Sequence, residues 1–267
     1  MNFALIPVFL ALGVLVGFLA GLLGIGGGFT IVPVLVEVFT HEGVRTEHLL
    51  PLAIGTSAAT IVFTAFASTR AHHKRGAVAW PIVWAMAPGL VVGSLVGAQV
   101  VSLLPMRVMA AIFGSFTWLT SWQMVRVRTP HPTRELPGKL PLFAMGSLIG
   151  LVAGMVGTGG AFLAVPFMAR CNVKVHTAVA TSAAIGWPVS VAATVGFVLA
   201  GLRHDDLPPY SVGYVYLPAL VVIALASVAL APLGAKVAHA WPVARLRRAF
   251  AVMLFVLGAW MWLKALG

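Results

Sequence analysis

Eight long runs of the chain contain no Asp, Glu, Lys or Arg: residues 1–36, 49–69, 76–106, 108–125, 140–169, 175–202, 207–235 and 249–263. About 20 apolar residues suffice to cross a bilayer, and in hydrocarbon every backbone N–H and C=O needs a partner within its own segment, so these runs must be helices. The fold class that follows is an all-α polytopic membrane protein. Composition agrees, with 60% of residues apolar and 9% charged, against about 25% charged in a soluble domain. The formal charge of +11 is read as loop charge facing anionic lipid headgroups, not as a nucleic-acid footprint. A lone cysteine, Cys171, excludes an internal disulfide and a CxxC motif. Residues 1–36 carry no charge at all, unlike a secretory signal peptide with its basic flank, and are expected to be mature structure.

The chain is internally duplicated. Gly21-Leu-Leu-Gly24-Ile-Gly26-Gly27-Gly28-Phe29-Thr-Ile-Val32-Pro33 returns as Gly154-Met-Val-Gly157-Thr-Gly159-Gly160-Ala161-Phe162-Leu-Ala-Val165-Pro166, an offset of 133. Ala53-Ile-Gly-Thr56-Ser57-Ala58-Ala59 returns as Ala178-Val-Ala-Thr181-Ser182-Ala183-Ala184, and Gly97-Ala98-Gln99-Val100 as Gly234-Ala235-Lys236-Val237. Three matches in one order define two transmembrane repeats, residues 1–125 and 140–267. The Pro-, Arg- and Thr-rich segment 126–139 between them reads as a basic cytoplasmic linker.

The first run of each half is too long for one perpendicular helix. Its 36 or 30 residues would reach roughly 54 or 45 Å at about 1.5 Å each, against a core of about 30 Å. Glycine permits backbone angles a helix cannot use, so breaks are expected at Gly24–Gly28 and at Gly157–Gly160. Short segments near 29–37 and 161–169 follow, either crossing fully or stopping at the midplane. The positive-inside rule separates two topologies. If the short segments do not cross, each half has four spans and the 17 basic residues divide eight to nine, which orients nothing. If they do, 13 collect on one side and only Arg45, Arg107, Arg203 and Lys264 lie opposite. Five passages per half is an odd number, so the second reading inverts the repeats relative to each other and puts both termini outside.

Interrupted helices at matching positions of two repeats point to a transporter whose site lies between them. A helix beginning after Gly28 or Ala161 presents free N–H groups and its positive dipole end, a cup suited to a small oxyanion. Gly24, Gly26, Gly27, Gly28, Gly157, Gly159 and Gly160 are the candidate cup residues, although glycines also serve close helix packing. Thr56, Ser57, Thr181 and Ser182 are candidate substrate ligands, or else bond their own helices. Thr30 and Thr158 carry less weight because the repeat equivalents lack a hydroxyl. His72-His73-Lys74-Arg75 reads as a basic anchor for anionic lipid, and Trp80, Trp84, Trp241, Trp260 and Trp262 as interfacial belt residues. All six acids fall in or beside loops, and HExxH and GxSxG are absent. An enzyme, a cofactor and a metal-ligand set are therefore not expected.

The paired motifs GLLGIGGGFTIVPVL at 21–35 and GMVGTGGAFLAVPFM at 154–168, with GTSAA and ATSAA downstream, resemble the TauE/SafE sulfite exporter family. The resemblance covers essentially the whole chain and implies a multi-pass transporter of the cell membrane. Its cargo would be sulfite, sulfoacetate or a related small sulfur-containing anion. Ala161 departs from the glycine at the matching position, Gly28. A sodium- or metal-cation carrier and a non-transporting membrane assembly or sensor protein are the alternatives, and a homo-oligomer is compatible with the leading reading and with both of these.

Overall fold

A computed structural model describes residues 5–23, 27–125, 136–240 and 243–266, with side chains throughout except at 22–23, 232 and 234–247. Of the sequence candidates, Gly24 and Gly26 lie outside the described residues, as do most of the linker and Trp241. The described residues form ten helices: α1 (Ile6–Leu23), α2 (Gly28–His41), α3 (Thr46–Lys74), α4 (Trp80–Ser102), α5 (Met106–Val125), α6 (Lys139–Val156), α7 (Ala161–Arg170), α8 (Val175–Gly201), α9 (Leu217–Ala240) and α10 (Val243–Leu266). One small antiparallel hairpin, β1 (Ser211–Val212) and β2 (Val215–Tyr216), precedes α9. The fold is all-α and polytopic, and five of the helices are long and apolar enough to cross a membrane.

Both expected breaks interrupt the helices. Helix α6 stops at Gly157, whose φ of +68° lies in the left-handed region, and α7 starts after Gly160 at φ +73°. A side chain at either angle costs roughly 1–2 kcal/mol. The chain then doubles back. Gly27 packs against Val16, and Gly160 against Ile149 and Ala153; Val16 and Ile149 are repeat equivalents at the same offset of 133. At about 1.5 Å per residue, α2 with 14 residues and α7 with 10 reach about 21 and 15 Å. Both fall short of a core of about 30 Å, so each is a half-helix returning toward the end from which its hairpin entered.

In lipid no hydrophobic force drives helices together, so close backbone approach has to hold them. Gly146, Gly150 and Gly154 of α6 rest on the backbone of Met86, Leu90 and Ser94 of α4. Residue numbers rise together, so these helices run parallel. Gly13 and Gly17 of α1 meet Ile223 and Ser227 of α9 in the same sense, and every residue of this contact is the repeat equivalent of one in the other. Two further contacts join equivalent helices. In α3 and α8, Gly55 meets Phe197, Ala65 meets Gly186, and the Thr69 hydroxyl donates to the Ala183 carbonyl at 3.1 Å. In α5 and α10, Gly114 meets Gly258, and the Ser121 hydroxyl donates to the Ala251 carbonyl at 2.7 Å. In both pairs the numbers run in opposite directions, so α3 is antiparallel to α8 and α5 to α10. Helix α3 threads the centre, with Leu50, Ile54, Thr56 and Ser57 fully buried, whereas Phe255, Val256 and Leu263 of α10 face outward, as a lipid-facing helix requires.

Candidate functional site

The two breaks meet in the middle of the bundle. Gly28 packs on the carbonyl oxygen of Gly157, beside Ile61 and Thr158, and Gly157 itself rests on Ile54. Ile54 and Ile61 bracket the middle of α3, so the meeting point is far from either end. Phe29 and Phe162, equivalent in the repeats, touch edge to face with centroids 5.2 Å apart.

Each half-helix points its N-terminus at this point. The Gly27 carbonyl receives the first bonds of α2, from the N–H groups of Thr30 and Ile31 at 3.0 Å each. The Gly160 carbonyl does the same for α7, from Leu163 at 3.1 Å and Ala164 at 3.0 Å. The amides of Gly28, Phe29, Ala161 and Phe162 precede those first bonds and belong to the set a helix cannot satisfy internally. Two positive dipole ends thus converge. Beside them Gly159, Ala161, Ser182, Thr64 and Ser68 line a cavity of about 20 Å³, room for about one water.

The four hydroxyl candidates divide by role. Thr56 accepts the N–H of Tyr216 at 2.9 Å, and Thr181 accepts the N–H of Ala79 at 3.0 Å. Tyr216 and Ala79 immediately precede α9 and α4, and are equivalents at the 137-residue offset that relates Gly97 to Gly234. Each threonine therefore anchors the start of the other half's fourth helix. The Ser57 hydroxyl donates to the Gly157 carbonyl at 3.1 Å, clamping the break. Ser182 donates to its own helix at Val179, 2.8 Å away, while lining the cavity. Thr30 and Thr158, each 2% exposed, have buried hydroxyls with no hydrogen-bond partner. An unpaired buried polar group costs about 1–3 kcal/mol, and both members of this pair adjoin the breaks. Its signal in the sequence is adjacency to glycine; burial, which gives it weight, is tertiary.

A second polar cluster, not expected from the sequence, occupies the end of the bundle that carries Arg45. The Arg45 guanidinium lies 2.6 Å from the Asp206 carboxylate, and His48, 2% exposed, contacts the same carboxylate through Nε2 at 2.9 Å. For a neutral ring the carboxylate accepts from Nε2–H, which leaves Nδ1 to accept from the Tyr214 hydroxyl at 3.1 Å. Partial burial would raise the Asp206 pKa, but the hydrogen bond from His48, a backbone amide and the charges of His48 and Arg45 outweigh it and hold the carboxyl below its usual range. Burial, with the negative charges of Asp206 and Glu47, pushes the Tyr214 hydroxyl up to about 12. Partners 158 residues apart leave no local pattern to read. At the opposite end of α3, the Trp80 indole N–H donates to His73 Nδ1 at 3.1 Å and stacks on the exposed Trp84.

The sulfite exporter TauE/SafE family model matches residues 9–261. A probable membrane transporter protein of Haemophilus influenzae is 34% identical over 98% of this chain and 100% of its own length. One from Methanocaldococcus jannaschii is 26% identical over 96% of this chain and 95% of its own. The probable membrane transporter protein YunE of Bacillus subtilis is 28% identical over 75% of this chain and 80% of its own. No solved structure matches the chain. Matched almost end to end and built of apolar helices around two glycine breaks, the chain belongs to the sulfite exporter TauE/SafE family and is a multi-pass membrane transporter.

Proposed function

We propose that this protein exports a small sulfur-containing anion, sulfite, sulfoacetate or a related organosulfonate, from the cell across its membrane. Access to the helix breaks would alternate between the two faces. The observation that carries this reading is the convergence of the α2 and α7 N-termini on one central contact. A sulfite-like group spreads negative charge over oxygens that accept hydrogen bonds, and unsatisfied amides at a positive dipole end are its natural partners. A metal or sodium cation would face the same dipoles with the wrong sign. The Thr30 and Thr158 hydroxyls add two donors, and among the residues whose side chains are described no Asp, Glu, Lys or Arg is buried. Efflux then needs no buried proton relay, because each negative charge leaving a cytoplasm at −100 mV gains about 2.3 kcal/mol.

The halves, 1–125 and 140–267 joined by the basic linker 126–139, are in this reading inverted repeats with both termini outside and the basic loops on anionic headgroups. Support comes from the antiparallel pairs α3/α8 and α5/α10, since equivalent helices related by an axis along the membrane normal would run parallel. The contact of α4 with α6 and its equivalent, α9 with α1, further fit a two-fold exchange. A cavity of about 20 Å³ is too small for a sulfonate, so the hairpin tips separate on the way to either open state.

Purified protein in liposomes loaded with radiolabelled sulfite tests the proposal. Voltage-dependent efflux that sulfoacetate competes away is expected. Flux that ignores both sulfite and organosulfonates under every imposed voltage overturns it.

A further inference from the structure

The geometry points to a transition-metal site at the end of the bundle that carries Arg45, formed by His48, His204 and Asp206. One ligand atom from each lies within 4.8 Å of the others, and His48 Nε2 is 2.9 Å from Asp206 Oδ2. Two ligands about 2.0–2.1 Å from a tetrahedral Zn²⁺ stand about 3.3 Å apart, between those two values. The exposed His204 ring, its centroid 4.8 Å from that of His48, closes the remaining gap by side-chain rotation. Two imidazoles with one carboxylate suit Zn²⁺ or Ni²⁺; Mg²⁺ and Ca²⁺ prefer all-oxygen sets.

The surrounding groups fit the same ion. Tyr214, whose hydroxyl oxygen is 3.1 Å from His48 Nδ1, accepts the hydrogen bond that Nδ1–H donates once the metal occupies Nε2, the outer-shell contact that orients ligating histidines. Glu47 Oε1, 3.6 Å from His48 Nε2, offers a second carboxylate, with water as the other means of completing four-coordination. Arg45 is an opposing charge; its side chain is 62% exposed and swings into solvent when the metal takes over Asp206. His48 lies in the first turn of α3, and His204 and Asp206 follow α8, so a bound metal ties the two repeats together at this end. The site is independent of what the protein transports.

Calorimetric titration of ZnCl₂ into the purified, tag-free full chain in detergent tests it. The native protein is expected to bind one Zn²⁺ per chain saturably. Affinity should fall about tenfold or more in His204→Asn and in Asp206→Asn and hold in His41→Asn. Both informative variants alter exposed or half-exposed side chains, and their melting temperatures without zinc confirm folding; buried His48 is left in place. Absence of saturable binding by the native protein, or unchanged binding in both His204→Asn and Asp206→Asn, overturns the proposal.

Discussion

Phe29 and Phe162 hold the same position in the two repeats and touch each other, ring centroids 5.2 Å apart. A residue that contacts its own equivalent lies beside the axis relating the halves. Around this pair Gly28 rests on the Gly157 carbonyl, so the two interruptions form one place. In the proposed inverted arrangement the half-helices entering it come from hairpins that start at opposite ends of the bundle.

That arrangement has a topological consequence. Arg45 is ion-paired to Asp206 at 2.6 Å, which puts the α2–α3 corner at the same end as the α8–α9 connection. Counting each broken hairpin as a single span would separate them. In a Cys171→Ser background, cysteines at Arg45 and Arg203 are expected to label with an impermeant maleimide from one face and a cysteine at Arg170 from the other. Labelling of positions 45 and 170 from the same face contradicts the inverted arrangement.

Steric room at the breaks differs residue by residue. A methyl on Gly28 would overlap the Gly157 carbonyl, a backbone atom that cannot step aside, whereas a Cβ on Gly159 would sit 3.4 Å from the Gly186 Cα in ordinary contact. Gly28→Ala is therefore expected to separate the tips and abolish flux, with a lower melting temperature. Gly159→Ala should fold and melt like the native protein while reducing flux, because its methyl intrudes on the small cavity. Bulky replacement at Gly27 or Gly160 is expected to abolish transport with membrane insertion retained. Flux measurements beside thermal melts in detergent separate these outcomes; native flux in Gly28→Ala would remove the break contact from the mechanism.

Thr56 and Thr181 perform one task twice. Thr56→Val and Thr181→Val each strand a backbone N–H, of Tyr216 and Ala79, at a cost of about 1–3 kcal/mol. Two destabilisations of similar size, read from unfolding in a denaturing detergent, are expected. A large drop in substrate affinity with native stability would instead make these threonines ligands.

The Asp206 carboxyl is held below its ordinary value of 3.8. A depressed folded-state pKa stabilises above the unfolded value and loses that stabilisation as pH falls through the folded value. The native protein should thus be more stable than Asp206→Asn at pH 7, with the difference shrinking as pH drops below about 4. Melting curves of both from pH 7 to pH 3 check the sign; a gap that widens on acidification would contradict the assigned partners.

Much of this was readable in one dimension because its causes are local or repeated. Uncharged runs dictate helices in hydrocarbon, and glycine clusters mark where helices stop. The 133-residue offset makes Gly27 and Gly160 do the same thing. That Thr30 and Thr158 are buried without hydrogen-bond partners has no sequence signal, because burial depends on neighbours contributed by other helices. Thr56 and Thr181 read as ligands because nothing nearby in sequence announces Tyr216 or Ala79.

The chain's order of residues, taken alone, determined an all-helical, duplicated, membrane-embedded transporter with a break near the start of each half, since apolarity, period and glycine act over a few residues at a time. Only the folded bundle decided that the two breaks touch, which hydroxyls bond helices and which stay unpaired, and that His48 meets His204 and Asp206. Most of those relationships join residues a hundred or more positions apart, brought together by close backbone packing between the two repeats.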